Sequence, residues 1–238
     1  DFDEHVTLIQ EAVNFVDGRI PVIAGTGANS TKEAIFLTEQ AKKIGADACL
    51  LVTPYYNKPN QKGLYEHYKA INDAVDIPQI LYNVPSRTGC DLANETIIQL
   101  SHLKNIVGVK DATGDLNRID VIKNSVDKRF ALISGDDLSF VDYLKKGGNA
   151  VISVTANLVP KQMHHICVEI KKNNHSEAET LNQKIQALHE MMFIEPNPIP
   201  VKWALSYLGM INGKLRLPMV ELDKIHQEKL AKLLSTIK

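Results

Sequence analysis

The chain has 238 residues, a formal net charge of −1, 44% hydrophobic and 23% charged residues, which is ordinary globular composition. The near-neutral balance gives no electrostatic footprint for nucleic acid or an anionic membrane, and no apolar run approaches the roughly 20 residues a bilayer span needs. Residues 1–20 lack a signal-peptide pattern, and three scattered cysteines (Cys49, Cys90, Cys167) do not suggest a disulfide framework or zinc cluster, so a reducing cytoplasm is the expected setting.

In chain order, Val6, Ile9, Val13 and Val16 give a first helix at 3–16, already under way at Asp1-Phe2-Asp3-Glu4. The expectation is a chain that starts inside a longer protein. Short β-branched apolar runs then recur at Ile20–Ala24, Ala48–Thr53, Gln79–Val84, Ile106–Lys110, Ala131–Ser134 and Ala150–Val154. They are apolar on consecutive positions, as parallel strands buried on both faces require. The gaps between them are long enough for one helix each. Ser30-Thr31-Lys32-Glu33 reads as a capping box, followed by a stripe at Ala34, Leu37, Ala41 and Ile44 and a stop at Gly45. Leu116, Ile119, Ile122 and Val126 repeat the helical spacing, as do Leu138, Val141 and Leu144.

After Val154 no strand follows. Helices are expected at 158–172, 176–193, 198–208 and 221–237, with the proline-rich stretch 195–200 among them. The reading is an α/β fold, a (β/α)8 TIM barrel over 1–172 with a helical C-terminal extension over 173–238. Six strands are counted where the closed barrel has eight, so the first strands are expected to lie upstream. A doubly wound open sheet is the alternative that six strands also fit.

Polar residues gather after nearly every strand, as the catalytic face of a barrel requires. Lys110 ends the apolar run Ile106-Val107-Gly108-Val109, so its amine would enter a desolvated barrel mouth. Desolvation disfavours the ammonium and supplies the free amine that attacks a ketone. A lone strand-end lysine more often snorkels to solvent. Tyr82 also falls at a strand end, where a phenol can relay protons, although an isolated barrel tyrosine more often simply packs. Arg87 follows in a loop bounded by proline and glycine, suited to holding a carboxylate or to a surface salt bridge. Gly25-Thr26-Gly27 lacks a full phosphate-loop pattern, and its glycines are expected to allow close backbone approach. Asp136-Asp137 is read as loop and helix-capping residues, not a metal site. His164-His165 has no partner at metal-ligand spacing, and the cysteines are read as packing residues.

Tyr82-Asn83-Val84-Pro85-Ser86-Arg87-Thr88-Gly89 and Val107-Gly108-Val109-Lys110-Asp111-Ala112 together resemble the dihydrodipicolinate synthase (4-hydroxy-tetrahydrodipicolinate synthase) family of class I pyruvate aldolases. Ile23–Gly27, Val52–Asn57, Ser134–Asp137 and Pro196–Lys202 extend the resemblance over essentially the whole chain. It implies a lyase of lysine and diaminopimelate biosynthesis that condenses pyruvate with L-aspartate 4-semialdehyde through a Schiff base on Lys110. Tyr82 would relay protons, Arg87 would hold the semialdehyde carboxylate, and Ile152 and Gly135 would line the pyruvate pocket. Lysine carries the covalent chemistry, so neither metal nor organic cofactor is implied.

The resemblance further implies a homotetramer, a dimer of dimers, in which Tyr56 crosses to a neighbour's proton relay. Feedback inhibition by L-lysine is also implied, with His5, Asn29, Glu33 and Tyr55 at positions of the allosteric site and Phe2 where some relatives have histidine. The family's Gly-Thr-Thr-Gly-Glu loop is expected to fall before Asp1. Two other readings stay open: a sibling pyruvate lyase acting on N-acetylneuraminate or keto-deoxy sugar acids, against which Arg87 argues, and an inactive fragment serving only as a binding module.

Overall fold

The consecutive apolar runs form strands that alternate along the chain with helices, as the periodicity requires. The computed structural model describes residues 1–236. These fall into two compact units, one of Asp1–Gly135 with Lys146–Asn149, the other of Asp136–Lys145 with Ala150 onward.

The first unit alternates helix and strand. Its elements are α1 (Phe2–Val16), β1 (Ile23–Gly25), α2 (Thr31–Ile44), β2 (Ala48–Val52), α3 (Gln61–Ala74) and β3 (Gln79–Asn83). There follow α4 (Pro85–Thr88), α5 (Asn94–Leu100), β4 (Ile106–Asp111), α6 (Asn117–Lys123) and β5 (Ala131–Ser134). The five strands pair in parallel and in chain order. This is an α/β fold with a parallel sheet, as the periodicity suggests.

Local chemistry explains the element ends. The α2 stripe buries Ala34, Leu37 and Ala41, and Gly45 closes the helix at φ 96°, a backbone that a residue with a Cβ rarely adopts. Asn60 caps α3, its side chain accepting from the Gly63 amide at 2.9 Å. The expected capping box is corrected, however. Ser30 is the N-cap of α2 but makes no side-chain cap bond, and the Thr31 hydroxyl instead meets His67 Nδ1 at 2.9 Å. Position β1 also starts later than the apolar run suggests. Pro21 cannot donate to a ladder, and Ile20 is left exposed before the strand begins at Ile23. Gly27 meets its expectation, since a Cβ there would lie 2.3 Å from the Val52 amide nitrogen.

The second unit holds α7 (Phe140–Lys145), β6 (Ala150–Val151), a 3-10 turn at Thr155–Asn157, α8 (Pro160–Lys171), α9 (His175–Met191), α10 (Ile199–Tyr207) and α11 (Lys224–Thr236). The expectation of helix after Val154 is met, although the last helix starts at Lys224 and the expected end, residue 237, lies outside the described residues. Phe140, Met163, Ile166, Ile185, Leu188, Met192, Ala204 and Leu230 form its core. Each large side chain among them contributes on the order of 1.5–3 kcal/mol by leaving water. The strand expected at 150–154 shrinks to two residues for a visible reason. Asp137 Oδ2 accepts the amides of Val154 and Thr155 at 2.9 and 3.2 Å, taking them from any ladder. Asp136 accepts the Ser139 amide at 2.9 Å in the turn before α7, and Asp137 is a buried brace rather than a cap. Among the described residues no helix is long and apolar enough to cross a membrane.

Candidate active site

Parallel register places the two sharpest residues side by side. Tyr82 on β3 pairs with Lys110 on β4, and Asn83 pairs with Asp111. Lys110 is buried at 9% exposure, with Nζ 4.0 Å from the centroid of the Tyr82 ring. Val109 and Ile106 anchor the strand behind it. Burial pushes the Tyr82 phenol above its ordinary pKa, and the nearby Arg87 guanidinium pulls partly the other way. The phenol is therefore protonated at neutral pH, able to donate a proton and recover it.

The wall beside Lys110 comes from β5. Ile133 and Ser134 pair with Lys110 and Asp111, and the Gly135 amide donates to the Asp111 carbonyl at 2.7 Å. A Cβ on Gly135 would stand 2.9 Å from Lys110 Cε and 2.9 Å from Ala112 Cβ. Gly135 thus lies against the lysine stem, and its missing side chain leaves that stem its place. Ile152 belongs to the second unit, half-buried just after β6.

Arg87 lies exposed in α4, a single turn that starts at Pro85 and is closed by Gly89 at φ 76°. Proline at the first position and glycine at the stop fix that turn by their own backbone preferences. The Tyr56 amide donates to the Thr88 carbonyl at 3.3 Å, and Tyr56 itself is 89% exposed with φ 74°. A tyrosine held in the left-handed region with its ring in solvent is uncommon, and such strain is retained where the surroundings fix it.

Two threonines that sequence reasoning passed over join these strand ends. Thr53 donates its hydroxyl to Thr88 at 3.3 Å, and its amide donates to the Tyr82 carbonyl at 2.9 Å. Asn83, Asp91, Asp111 and Arg118 form a second polar cluster behind Lys110 that no local sequence signal announces. These four are brought together only by strand pairing and by α6 folding back.

Of the remaining positions, His5 Nε2 meets the Gly25 carbonyl at 2.8 Å. Asn29 donates to the Tyr55 carbonyl at 3.2 Å and its own carbonyl accepts from the Asn57 side chain at 3.0 Å. Tyr55 is exposed, Glu33 stands half-buried in the first turn of α2, and Phe2 packs edge-on against Phe36 at 6.0 Å.

The dihydrodipicolinate synthetase family model matches residues 1–237. A 4-hydroxy-tetrahydrodipicolinate synthase of Blochmanniella pennsylvanica is 52% identical over 229 residues, covering 96% of this chain and 77% of its own length. One from Nitrosomonas eutropha is 52% identical over 232 residues, with 98% and 80% covered. Among solved structures, the chloride-inhibited dihydrodipicolinate synthase of Acinetobacter baumannii complexed with pyruvate superposes with a TM-score of 0.97 at 50% identity, over 99% of this chain and 81% of that one. A lysine-bound enzyme from Cyanidioschyzon merolae gives 0.96 at 37% identity, over 99% and 80%. A match along the whole described chain, joined to relatives at half identity, establishes that the chain belongs to the dihydrodipicolinate synthetase family.

Proposed function

We propose that this chain is a class I aldolase-type lyase that condenses pyruvate with L-aspartate 4-semialdehyde to give 4-hydroxy-tetrahydrodipicolinate, with Lys110 as the imine-forming residue. The observation that carries the residue assignment is the Lys110 amine held 4.0 Å over the half-buried Tyr82 ring. The names of relatives at about half identity support the reaction.

The steps follow from the chemistry of the groups. The Lys110 amine adds to the pyruvate ketone, and loss of water leaves a protonated imine. Loss of a methyl proton gives the enamine, whose carbon attacks the aldehyde of the second substrate and forms the new C–C bond. The amino group of that substrate then attacks the imine carbon, closing the ring and returning the lysine as a free amine. Tyr82, neutral and adjacent, supplies and recovers protons in these steps. Arg87 supplies a planar donor pair to the carboxylate of the semialdehyde, and Gly135, against the Lys110 stem, lines the pyruvate pocket.

The same reading extends to architecture and regulation. The strands are part of a (β/α)8 barrel carried by residues 1–172, and the appended helices follow from residue 173. The assembly is a homotetramer in the cytoplasm, in which the exposed, conformationally fixed Tyr56 is covered by a neighbouring subunit and completes its proton relay. L-lysine binds near His5, Asn29, Glu33 and Tyr55; the Asn29–Tyr55 hydrogen bond supports grouping two of them.

Borohydride reduction in the presence of pyruvate tests the core of the proposal. The expected result is one reduced pyruvate adduct per chain, mapped to the peptide containing Lys110 and lost in Lys110→Ala. Folded wild-type protein without an adduct sinks the imine mechanism.

A further inference from the structure

The far end of the segment that carries Arg87 is held by Asn83, by Gln61 and by Arg118 of α6. Asn83 closes β3, donating from its amide to Asp91 Oδ1 at 2.7 Å and accepting the Leu92 amide at 3.0 Å. Residues 84–91 are therefore a short excursion whose two ends meet. Arg118 then spreads its guanidinium over three acceptors. Nε donates to Asp111 Oδ2 at 2.9 Å, Nη1 to Asp91 Oδ2 at 3.1 Å, and Nη2 to the Leu92 carbonyl at 2.6 Å.

Asp111 is the residue immediately after Lys110 on β4. Its side chain is 5% exposed and that of Arg118 13%, so this ion pair is largely out of water, whereas Asp91 is 46% exposed. The second Asp111 oxygen accepts the Thr113 amide at 2.8 Å, so each carboxylate oxygen has a donor. One planar cation thus joins the strand bearing Lys110 to the end of the excursion bearing Arg87. A lysine at position 118 would bring equal charge but no rigid fork, and a point charge does not hold three acceptors in fixed relative positions.

We propose that Arg118 is a positioning residue, which sets where Arg87 stands relative to Lys110 and so governs recognition of the second substrate's carboxylate. The inference rests on the assignment of Lys110 and Arg87 made above. With Arg118 removed, the excursion keeps its Asn83 anchor and the bond from Gln61 Nε2 to the Asp91 carbonyl at 2.7 Å. The segment is loosened, not unfolded. A displacement of about 1 Å at a substrate-holding group is worth on the order of 100-fold in rate.

The test uses the whole chain with Arg118→Lys, Arg87→Ala and the double variant. Borohydride trapping of pyruvate on Lys110 is measured beside steady-state kinetics in both substrates. In Arg118→Lys, trapping is expected to stay within threefold of wild type, and the KM for pyruvate likewise. The KM for the semialdehyde rises at least tenfold. In the Arg87→Ala background, Arg118→Lys changes that KM less than threefold, because the residue it positions is gone. Asp91→Asn, at the exposed end of the cluster, gives the same direction if Arg118→Lys does not fold. Unchanged kinetics with only a lower melting temperature overturn the positioning role, as does full multiplicative effect on Arg87→Ala. A wild-type chain that forms no Lys110 adduct overturns the site assignment first, and the positioning role with it.

Discussion

Lys110 and Tyr82 are direct partners across the β3–β4 ladder, and the lysine amine rests 4.0 Å from the centre of the tyrosine ring. The pairing does two things. It covers the amine on one side with an aromatic ring, and in the proposed mechanism it sets a neutral phenol near the atom where protons come and go. Tyr82→Phe separates the two roles, since it keeps the ring and removes the hydroxyl. Pyruvate is expected still to be trapped on Lys110, more slowly, while kcat falls about 100-fold or more, the usual share of general acid–base catalysis. Single-turnover trapping beside steady-state assay reads both. An unaltered kcat would remove Tyr82 from the relay.

Gly135 gives a steric test of the same lysine. Alanine there places a Cβ 2.9 Å from Lys110 Cε and 3.1 Å from its Cγ. The lysine stem is the movable neighbour, so it shifts. Adduct formation in Gly135→Ala is expected to slow by more than tenfold, at a stability cost of about 1–3 kcal/mol from overpacking. Time-resolved borohydride trapping with a denaturation curve measures the two effects. Wild-type trapping rates in the variant would mean the stem has room to spare.

His67 predicts acid sensitivity. It is 6% exposed on α3, edge-on to Tyr68, and its Nε2 is buried without a hydrogen-bond partner among the described residues. Burial lowers its pKa from 6.5 to about 4. The folded chain keeps the ring neutral while the unfolded chain takes up a proton below pH 6.5. Stability is therefore complete above that value and falls as pH drops toward 4, by about 3 kcal/mol for a shift of this size. Burial lowers the pKa of His189 as well, adding loss of the same sign. Urea unfolding at pH 7 and near pH 4.5 checks this, with His67→Gln expected to flatten the pH dependence. An identical slope in that variant would assign the acid loss to other groups.

Strand positions, the α2 stripe with its Gly45 stop, and the helical tail were legible because each depends on local periodicity or on one residue's backbone freedom. The close approach at Gly27 was legible for the same reason. The 150–154 run is not a full strand because its local signal competes with a long-range partner. The Val154 and Thr155 amides are taken by Asp137.

By itself the sequence determined which side chains end the strands, and through Lys110, Tyr82 and Arg87 it determined the family. The tertiary structure alone decided their geometry. Parallel register sets Tyr82 against Lys110, and Gly135 leaves the lysine stem its space. Arg118 meets Asp111 and Asp91 from a helix that gives no sign in sequence of facing them. Hydrogen bonds between residues distant in the chain have no sequence period, so only the folded chain reveals which polar groups they join.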